Sequence, residues 1–316
     1  MLLKFNEKTK HKLLSNDYRI VVTGAGGWVG LATLEMLDEV FGNDFSDRVI
    51  GVVSRPRKIR LRSGRDVGLV DFSSLRDLRK ANYLIAHYAF LTRDKIQEYS
   101  NLEYINKNRA LTKEVIKLAE RINVRGIFTV SSGAVYNKNR SLANDIEENP
   151  YGFLKLEEEK YLRNLAIRNN LNLSICRLFN LSGPFIHKEF ALNSIILDVL
   201  SGRDVTIKAK NRVVRDFMYV GDLVSVGFST ILDEFRNFVA IYDSGIGKPI
   251  EIGNLAKKVI ELLGQKKLEI RRSDITGEEN YFAGDTQEID KICKFYSIEQ
   301  LSLDRQILAT ADFLKN

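Results

Sequence analysis

The chain has 316 residues, with 48 Lys and Arg against 41 Asp and Glu and a net charge of +7 at pH 7. At 44% hydrophobic and 28% charged residues it has the composition of a soluble globular protein, which excludes the disordered and fibrous classes. Only Cys176 and Cys293 are present, and His11, His87 and His187 are scattered, so neither a disulfide framework nor a metal site is expected.

The length suits one large α/β domain or roughly two domains of ~150 residues. Residues 1–17 are charged throughout, with no apolar core and no small-residue cleavage site, so they read as an amino-terminal extension packed loosely on the surface. No apolar run approaches the ~18 residues of a membrane span. A cytoplasmic protein with no membrane partner is expected.

From residue 18 short apolar runs alternate with helical patterns. The runs are Tyr18-Arg19-Ile20-Val21-Val22, Val49-Ile50-Gly51-Val52-Val53, and residues 67–70, 83–86, 126–130 and 173–178. Val29, Leu31, Leu34, Leu37 and Val40 recur at helical spacing, and residues 110–121 and 155–169 show similar patterns. This alternation predicts βαβ units and a doubly wound, Rossmann-type parallel sheet. After about residue 180 the alternation loosens. The expected division is therefore a dinucleotide-binding domain over 18–180 and a smaller, mixed α/β substrate-binding portion over 181–316. Some segments of the latter are expected to return to the first domain.

The first run leads into Thr23-Gly24-Ala25-Gly26-Gly27-Trp28-Val29-Gly30. A strand, a tight turn and a helix start in that order form a pyrophosphate cradle: Gly24 for the turn, Gly27 for close approach, Gly30 for helix packing, with Trp28 and Val29 opening the helix. The end of the second strand decides the dinucleotide, because an acidic residue there suits NAD and an Arg the extra phosphate of NADP. Here it is Ser54-Arg55, followed by Arg57, Lys58, Arg60, Arg62 and Arg65 with no acidic residue up to 65. NADP is expected, with Ser54 and Arg55 at its 2′-phosphate and NAD as the alternative cofactor; a solvated basic loop is the plainer explanation of the same run. Asp71 and Phe72, after the next run, are candidates for contact with the adenine.

Tyr151 and Lys155 stand four residues apart on one face of a predicted helix. An ammonium beside a phenol favours the phenolate, which makes Tyr151 a candidate acid or base. Ser132 ends the strand Thr129-Val130-Ser131-Ser132, where its hydroxyl faces the ligand crevice of such a sheet.

Taken together these stretches resemble an extended short-chain dehydrogenase/reductase of the nucleotide-sugar epimerase/dehydratase group. The resemblance spans about residues 18–290. It rests on the glycine motif, Asn108-x-x-x-Thr112, Ser131-Ser132-x-x-Val135-Tyr136, and Pro150-Tyr151-x-x-x-Lys155 with Glu159. It continues through Arg177-Leu-Phe-Asn180-x-x-Gly183-Pro184 and Arg215-Asp216-Phe-Met-Tyr219-Val220-x-Asp222. It implies that Ser132, Tyr151 and Lys155 form the catalytic triad, with Tyr151 and Lys155 also at the cofactor. It further implies that Asn108 supports the site, and that Ser132, Asn180 and Arg215 contact a nucleotide-diphosphate sugar, Arg215 near the pyrophosphate. A homodimer is implied as well.

Some positions depart from the family pattern. Leu154 replaces a frequent serine, Leu111 a glycine, and Gly133-Ala134 stand where dehydratases of the group carry Asp-Glu. Dehydration is therefore not expected, and His187 is read as a loop histidine near the substrate pocket. The expected activity is hydride transfer at a sugar carbon, C4, as a 4-epimerase or a 4-keto-sugar reductase. The alternative is a non-catalytic NADP-binding sensor or interaction protein on the same fold. The basic surplus is thereby assigned in part to two phosphorylated ligands, and no nucleic-acid partner is expected.

Overall fold

A computed structural model describes residues 3–234 and 237–315. The first half carries α1 (Glu7–Ser15), β1 (Arg19–Thr23), α2 (Trp28–Phe41), α3 (Phe45–Arg48), β2 (Val49–Val52), β3 (Arg57–Arg60), β4 (Asp66–Leu69), β5 (Asn82–His87), α4 (Asn101–Arg121), β6 (Asn123–Ser132) and α5 (Pro150–Asn169). There follow β7 (Asn172–Leu178), β8 (Leu181–Ser182), α6 (Ala191–Leu200), β9 (Val205–Ile207), β10 (Asn211–Arg215), β11 (Met218–Tyr219) and α7 (Val220–Ile231). The remainder is β12 (Val239–Asp243), β13 (Ile250–Glu251), α8 (Ile252–Leu262), β14 (Ile270–Arg272), β15 (Gly277–Phe282), α9 (Gln287–Tyr296) and α10 (Leu303–Lys315). Among the described residues no helix is long and apolar enough to cross a membrane.

The central sheet has six parallel strands in the order β12-β7-β6-β5-β1-β2. This is a Rossmann-like α/β fold. Its strands are apolar on both faces, as expected for a parallel sheet covered on both sides. Successive side chains feed opposite cores: Ile20, Val22, Leu84, Phe128 and Cys176 face the layer of α1, α2 and α7. Val21, Ile85, Ile127 and Ile175 face α4 and α5. A separate core under α6, α8 and α10 gathers Leu192, Ile196, Phe217, Leu255 and Ile307, next to the small sheet β13-β10-β15.

Two expectations are corrected. Residues 67–70 are not a full strand of the central sheet: Asp66–Leu69 pairs antiparallel with Arg57–Arg60 in a hairpin, and only Val70 reaches β2, through bonds with Gly51 and Val53. Part of the basic run taken as a loop is therefore a strand, hidden because its outward positions carry Arg and Lys. The amino-terminal segment is not loosely packed. Leu3, Phe5 and Leu13 are buried in the main core, Phe5 lies edge-on to Phe228, and Thr9 Oγ1 sits 2.5 Å from Ser229 Oγ on α7.

Candidate active site

The site lies at the carboxyl ends of β1, β5 and β6, where a doubly wound sheet opens its ligand crevice. Gly24 adopts φ +67°, and a Cβ there would collide with the Tyr88 and Ala89 backbone. A Cβ on Gly30 would run into Gly24 O and Ala25 Cα, so α2 packs on the turn only through glycine. At Gly27 the nearest atom to such a Cβ is 3.4 Å away, so that side of the turn is open. No side chain caps α2, which leaves the amides at Trp28 and Val29 facing the same opening. An open turn beneath an uncapped helix start, made by Gly24, Gly27, Trp28, Val29 and Gly30, has the geometry that suits an anionic group such as a pyrophosphate.

The basic run after β2 does not form one patch. Arg65 is committed to α2, with Nε 2.5 Å from Asp38 Oδ1 and Nη2 donating to Gly42 O. The Arg62 guanidinium stands 5.6 Å from the Phe313 ring on α10. Arg57, in contrast, lays its guanidinium against Gly26 of the glycine turn. Ser54 and Arg55 are exposed just beyond β2. The Asp71 carboxylate caps the turn after it, accepting from Ser73 Oγ at 2.6 Å and from Ser74 N at 3.2 Å. The Ser73 hydroxyl bond, ahead of the Ser74 amide, holds its carboxyl below the usual range. Phe72 is half-buried against the core under α4.

Ser132 closes β6, and its Oγ accepts from Ala134 N at 3.1 Å. Tyr151 opens α5 behind Asn149, whose side chain caps the helix by accepting from Gly152 N, and Pro150, which suits a first helical position. Asn149 Nδ2 also donates to Ala134 O at 2.8 Å, so the helix start is fastened to the turn after Ser132. The Tyr151 ring is half-buried with its edge towards Phe90, at 5.9 Å between centroids. Lys155 is buried; its Nζ lies 3.8 Å from the Phe90 centroid and donates to Val130 O at 2.8 Å. The sequence-predicted triad thus gathers around one corner made by β6, the following turn and α5.

Behind Lys155 stands a chain of buried polar groups that sequence reasoning missed. Lys155 Nζ donates to Glu158 Oε2 at 2.9 Å. Glu158 Oε1 is 2.9 Å from His87 Nε2, an ion-pair distance without an aligned hydrogen bond. His87 Nδ1 is 2.7 Å from Thr23 Oγ1, the residue before the glycine turn. Burial works to raise the Glu158 carboxyl, but the Lys155 ammonium and His87 outweigh it and hold it below the usual range. A second network lies under β6 and β7. Ser131 Oγ donates to Glu159, Arg177 pairs with Glu159 at 2.7 Å, and Arg177 Nη1 donates to Tyr136 OH at 2.6 Å. Tyr136 OH in turn donates to Asp243.

Asn108 is buried and accepts from Leu91 N at 2.7 Å, which steadies the segment after β5. Asn180 Nδ2 donates to Asp216 O and Phe282 O, both at 3.1 Å, tying the segment after β7 to the residue after β10 and to the end of β15. Arg215 Nη1 donates to the carbonyls of Val214 and Asn280 and lies 5.8 Å from the Phe282 ring centroid. It does not pair with Asp216, which accepts from Ile246 N and Gly247 N, nor with Asp222, which accepts from Leu301 N. Arg215 is thus half-buried on carbonyls and an aromatic face rather than on a carboxylate. Exposed His187 packs on Trp28 at 4.9 Å between centroids, which places the loop after β8 beside the glycine turn.

A sequence profile of the NAD dependent epimerase/dehydratase family matches residues 20–243. An uncharacterised protein of Methanocaldococcus jannaschii is 22% identical over 271 residues, covering 78% of this chain and 81% of that one. The fold resembles that of the UDP-N-acetylglucosamine 4-epimerase from Methanobrevibacter ruminantium, solved with UDP-N-acetylmuramic acid, with a TM-score of 0.70, 19% identity and coverage of 95% and 99% of the two chains. It also resembles the UDP-glucuronic acid 4-epimerase from Bacillus cereus in complex with NAD, with a TM-score of 0.64, 16% identity and coverage of 94% and 96%. The chain belongs to the NAD dependent epimerase/dehydratase family.

Proposed function

We propose that this member of the epimerase/dehydratase family acts on a nucleotide-diphosphate sugar, oxidising or reducing a sugar carbon, C4, as a 4-epimerase or a 4-keto-sugar reductase. The carrying observation is the fastening of Asn149 to Ala134 O, which sets the Tyr151 end of α5 against the turn that holds Ser132. A nicotinamide cofactor supplies hydride exchange with the sugar carbon.

The chain supplies the proton and the orientation. A phenol titrates near 10 in water, and an ammonium four residues along the same helix face favours its phenolate. Tyr151 then takes the hydroxyl proton on oxidation and returns it on reduction. Ser132 Oγ accepts from Ala134 N, so its own proton remains to be donated to the substrate oxygen. Lys155 serves both the phenol and the cofactor ribose. Asn180 and Arg215 are assigned to the nucleotide-sugar, with the guanidinium at a phosphate. Gly133 and Ala134 carry no acid or base, which favours chemistry without loss of water.

NADP is the preferred cofactor in this reading. Arg57 on the glycine turn, beside Ser54 and Arg55, supports it, although the Bacillus cereus relative is seen with NAD. Residues 18–180 are assigned to the cofactor and 181–316 mainly to the substrate. Exposed Leu102, Tyr161 and Ile167 on α4 and α5 support a homodimer through that face.

The test is a panel of UDP-, dTDP-, GDP- and CDP-sugars and 4-keto-sugars incubated with NADP or NAD, followed by chromatography of the sugars. Conversion at C4 supports the reading. Cofactor binding without conversion of any of them would favour a sensor instead.

A further inference from the structure

Lys155 and Glu158 are among the most deeply buried charges in the chain: their side chains are 5% and 2% exposed, and that of His87 is 1% exposed. An ammonium this buried is held in its charged form only by an opposite charge or by several acceptors. One acceptor is Val130 O; the other is Glu158. Neighbouring carboxylates are committed elsewhere. Glu159 pairs with Arg177 and accepts from Ser131, and Glu157 is bridged by Arg109 of α4 at 2.8 Å.

The buried polar groups stand in contact one after another from Thr23 to Lys155. Ala89 N donates to Thr23 Oγ1 at 3.4 Å, and the same oxygen shares a hydrogen bond of 2.7 Å with His87 Nδ1. His87 Nε2 stands 2.9 Å from Glu158 Oε1, and the other carboxylate oxygen receives Lys155. The carboxylate is thus gripped from two sides, by the strand-end residues of β1 and β5 and by the lysine. The other titratable groups lining the cleft at Glu158 are Glu157 and Tyr161 on α5 and Arg109 and Lys113 on α4. This cleft of about 280 Å³ between the two helices reaches Glu158 past Asn108 and Leu154.

We propose that Glu158 is the buried counter-ion of Lys155, a positioning residue that keeps the ammonium charged and turned towards Val130, while Thr23 and His87 fix the carboxylate. The inference rests on the reading of Lys155 as part of the catalytic triad. Glu158 touches neither substrate nor cofactor; it acts through Lys155. Loss of its charge leaves a desolvated ammonium, which then releases its proton at lower pH. Because Lys155 is what favours the Tyr151 phenolate, the alkaline side of the activity profile then retreats towards neutrality.

The test titrates Lys155 directly in the full-length protein, using lysine labelled with ¹³C at Cε and assigning the resonance by its loss in Lys155→Met. In Glu158→Gln the amide keeps the size and the contacts but not the charge, and the Lys155 midpoint is expected to fall by about one pH unit or more. The alkaline limb of kcat against pH is expected to move the same way, with KM for the sugar little changed. Should Glu158→Gln not fold, Glu158→Asp, which withdraws the carboxylate by one methylene, is expected to lower the midpoint too. A folded variant whose Lys155 midpoint equals that of the wild type overturns the proposal. The catalytic reading fails separately: it is lost if Lys155→Met turns over normally, whatever the titration shows.

Discussion

Asn149 holds two partners at once: its Oδ1 accepts from Gly152 N at 3.0 Å and its Nδ2 donates to Ala134 O at 2.8 Å. One side chain therefore both caps α5 and joins it to the turn after Ser132. Gly152 completes the joint, because a Cβ there would run into Ala134 O. Asn149→Ala is expected to lower stability by about 1 kcal/mol, the usual loss of a cap. It should lower kcat by roughly tenfold through misplacement of the phenol, while the cofactor Kd stays within twofold. Thermal melting, steady-state kinetics and cofactor titration check the three parts. Equal losses in kcat and in cofactor affinity would show that the joint does not act on the reacting corner.

Tyr151→Phe keeps the ring against Phe90 and removes only the phenol oxygen. Proton transfer by a positioned group contributes about 100-fold to 10,000-fold, so turnover is expected to drop by at least that lower figure with NADP binding intact. A wild-type rate in this variant would remove Tyr151 from the mechanism.

The arginines of the basic run separate into two roles. Arg55→Ala and Arg57→Ala are expected to weaken NADPH binding by roughly tenfold each while leaving NADH binding unchanged, since only the former ligand carries the extra phosphate. Arg65→Ala strips the partner from a buried Asp38 and should lower the melting temperature without changing the ratio of NADPH to NADH affinity. Parallel dissociation constants for the two dinucleotides distinguish these outcomes. A purified wild type that prefers NADH would overturn the cofactor assignment.

Burial, opposed by the Leu301 amide, pushes the Asp222 carboxyl up to about 7. An unfolded carboxyl titrates near ~4. Between those values the folded chain holds a proton that the unfolded chain does not. This contribution to stability is full below about pH 4 and disappears as pH rises through about 7. The melting temperature is expected to fall by a few degrees from pH 5 to pH 8, and Asp222→Asn to flatten that slope. Identical slopes in both proteins would show that another group sets it.

The sheet, the glycine turn and the placement of Tyr151 and Lys155 on one helix were legible because each has a local signature: β-branched runs, glycines at fixed offsets, and side chains four apart. Glu158 had no such signature. Three residues after a lysine on a helix it reads as one half of an ordinary surface pair. Its burial depends on β1 and β5, which the sequence does not place behind it. His87 reads as an isolated histidine for the same reason. The β3–β4 hairpin was obscured because its basic residues serve different neighbours, Asp38 for Arg65 and Gly26 for Arg57, that lie earlier in the chain. Helix α1 is short and polar on most positions, and part of what buries the segment, such as Phe228 against Phe5, comes from α7 far along the chain.

That dependence has a consequence for the order in which the molecule is assembled. Thr9 and Ser229 are 220 residues apart. At about 5–20 residues per second of synthesis, α1 waits on the order of ten seconds or longer before α7 leaves the ribosome. Until then the α1 segment and that side of the nascent sheet have α2 but lack the cover of α7, and nearby apolar chains or a chaperone can occupy the gap. Substitutions in α7 that spare the finished fold can therefore still reduce the yield of native protein, by lengthening the interval in which α1 is only partly covered.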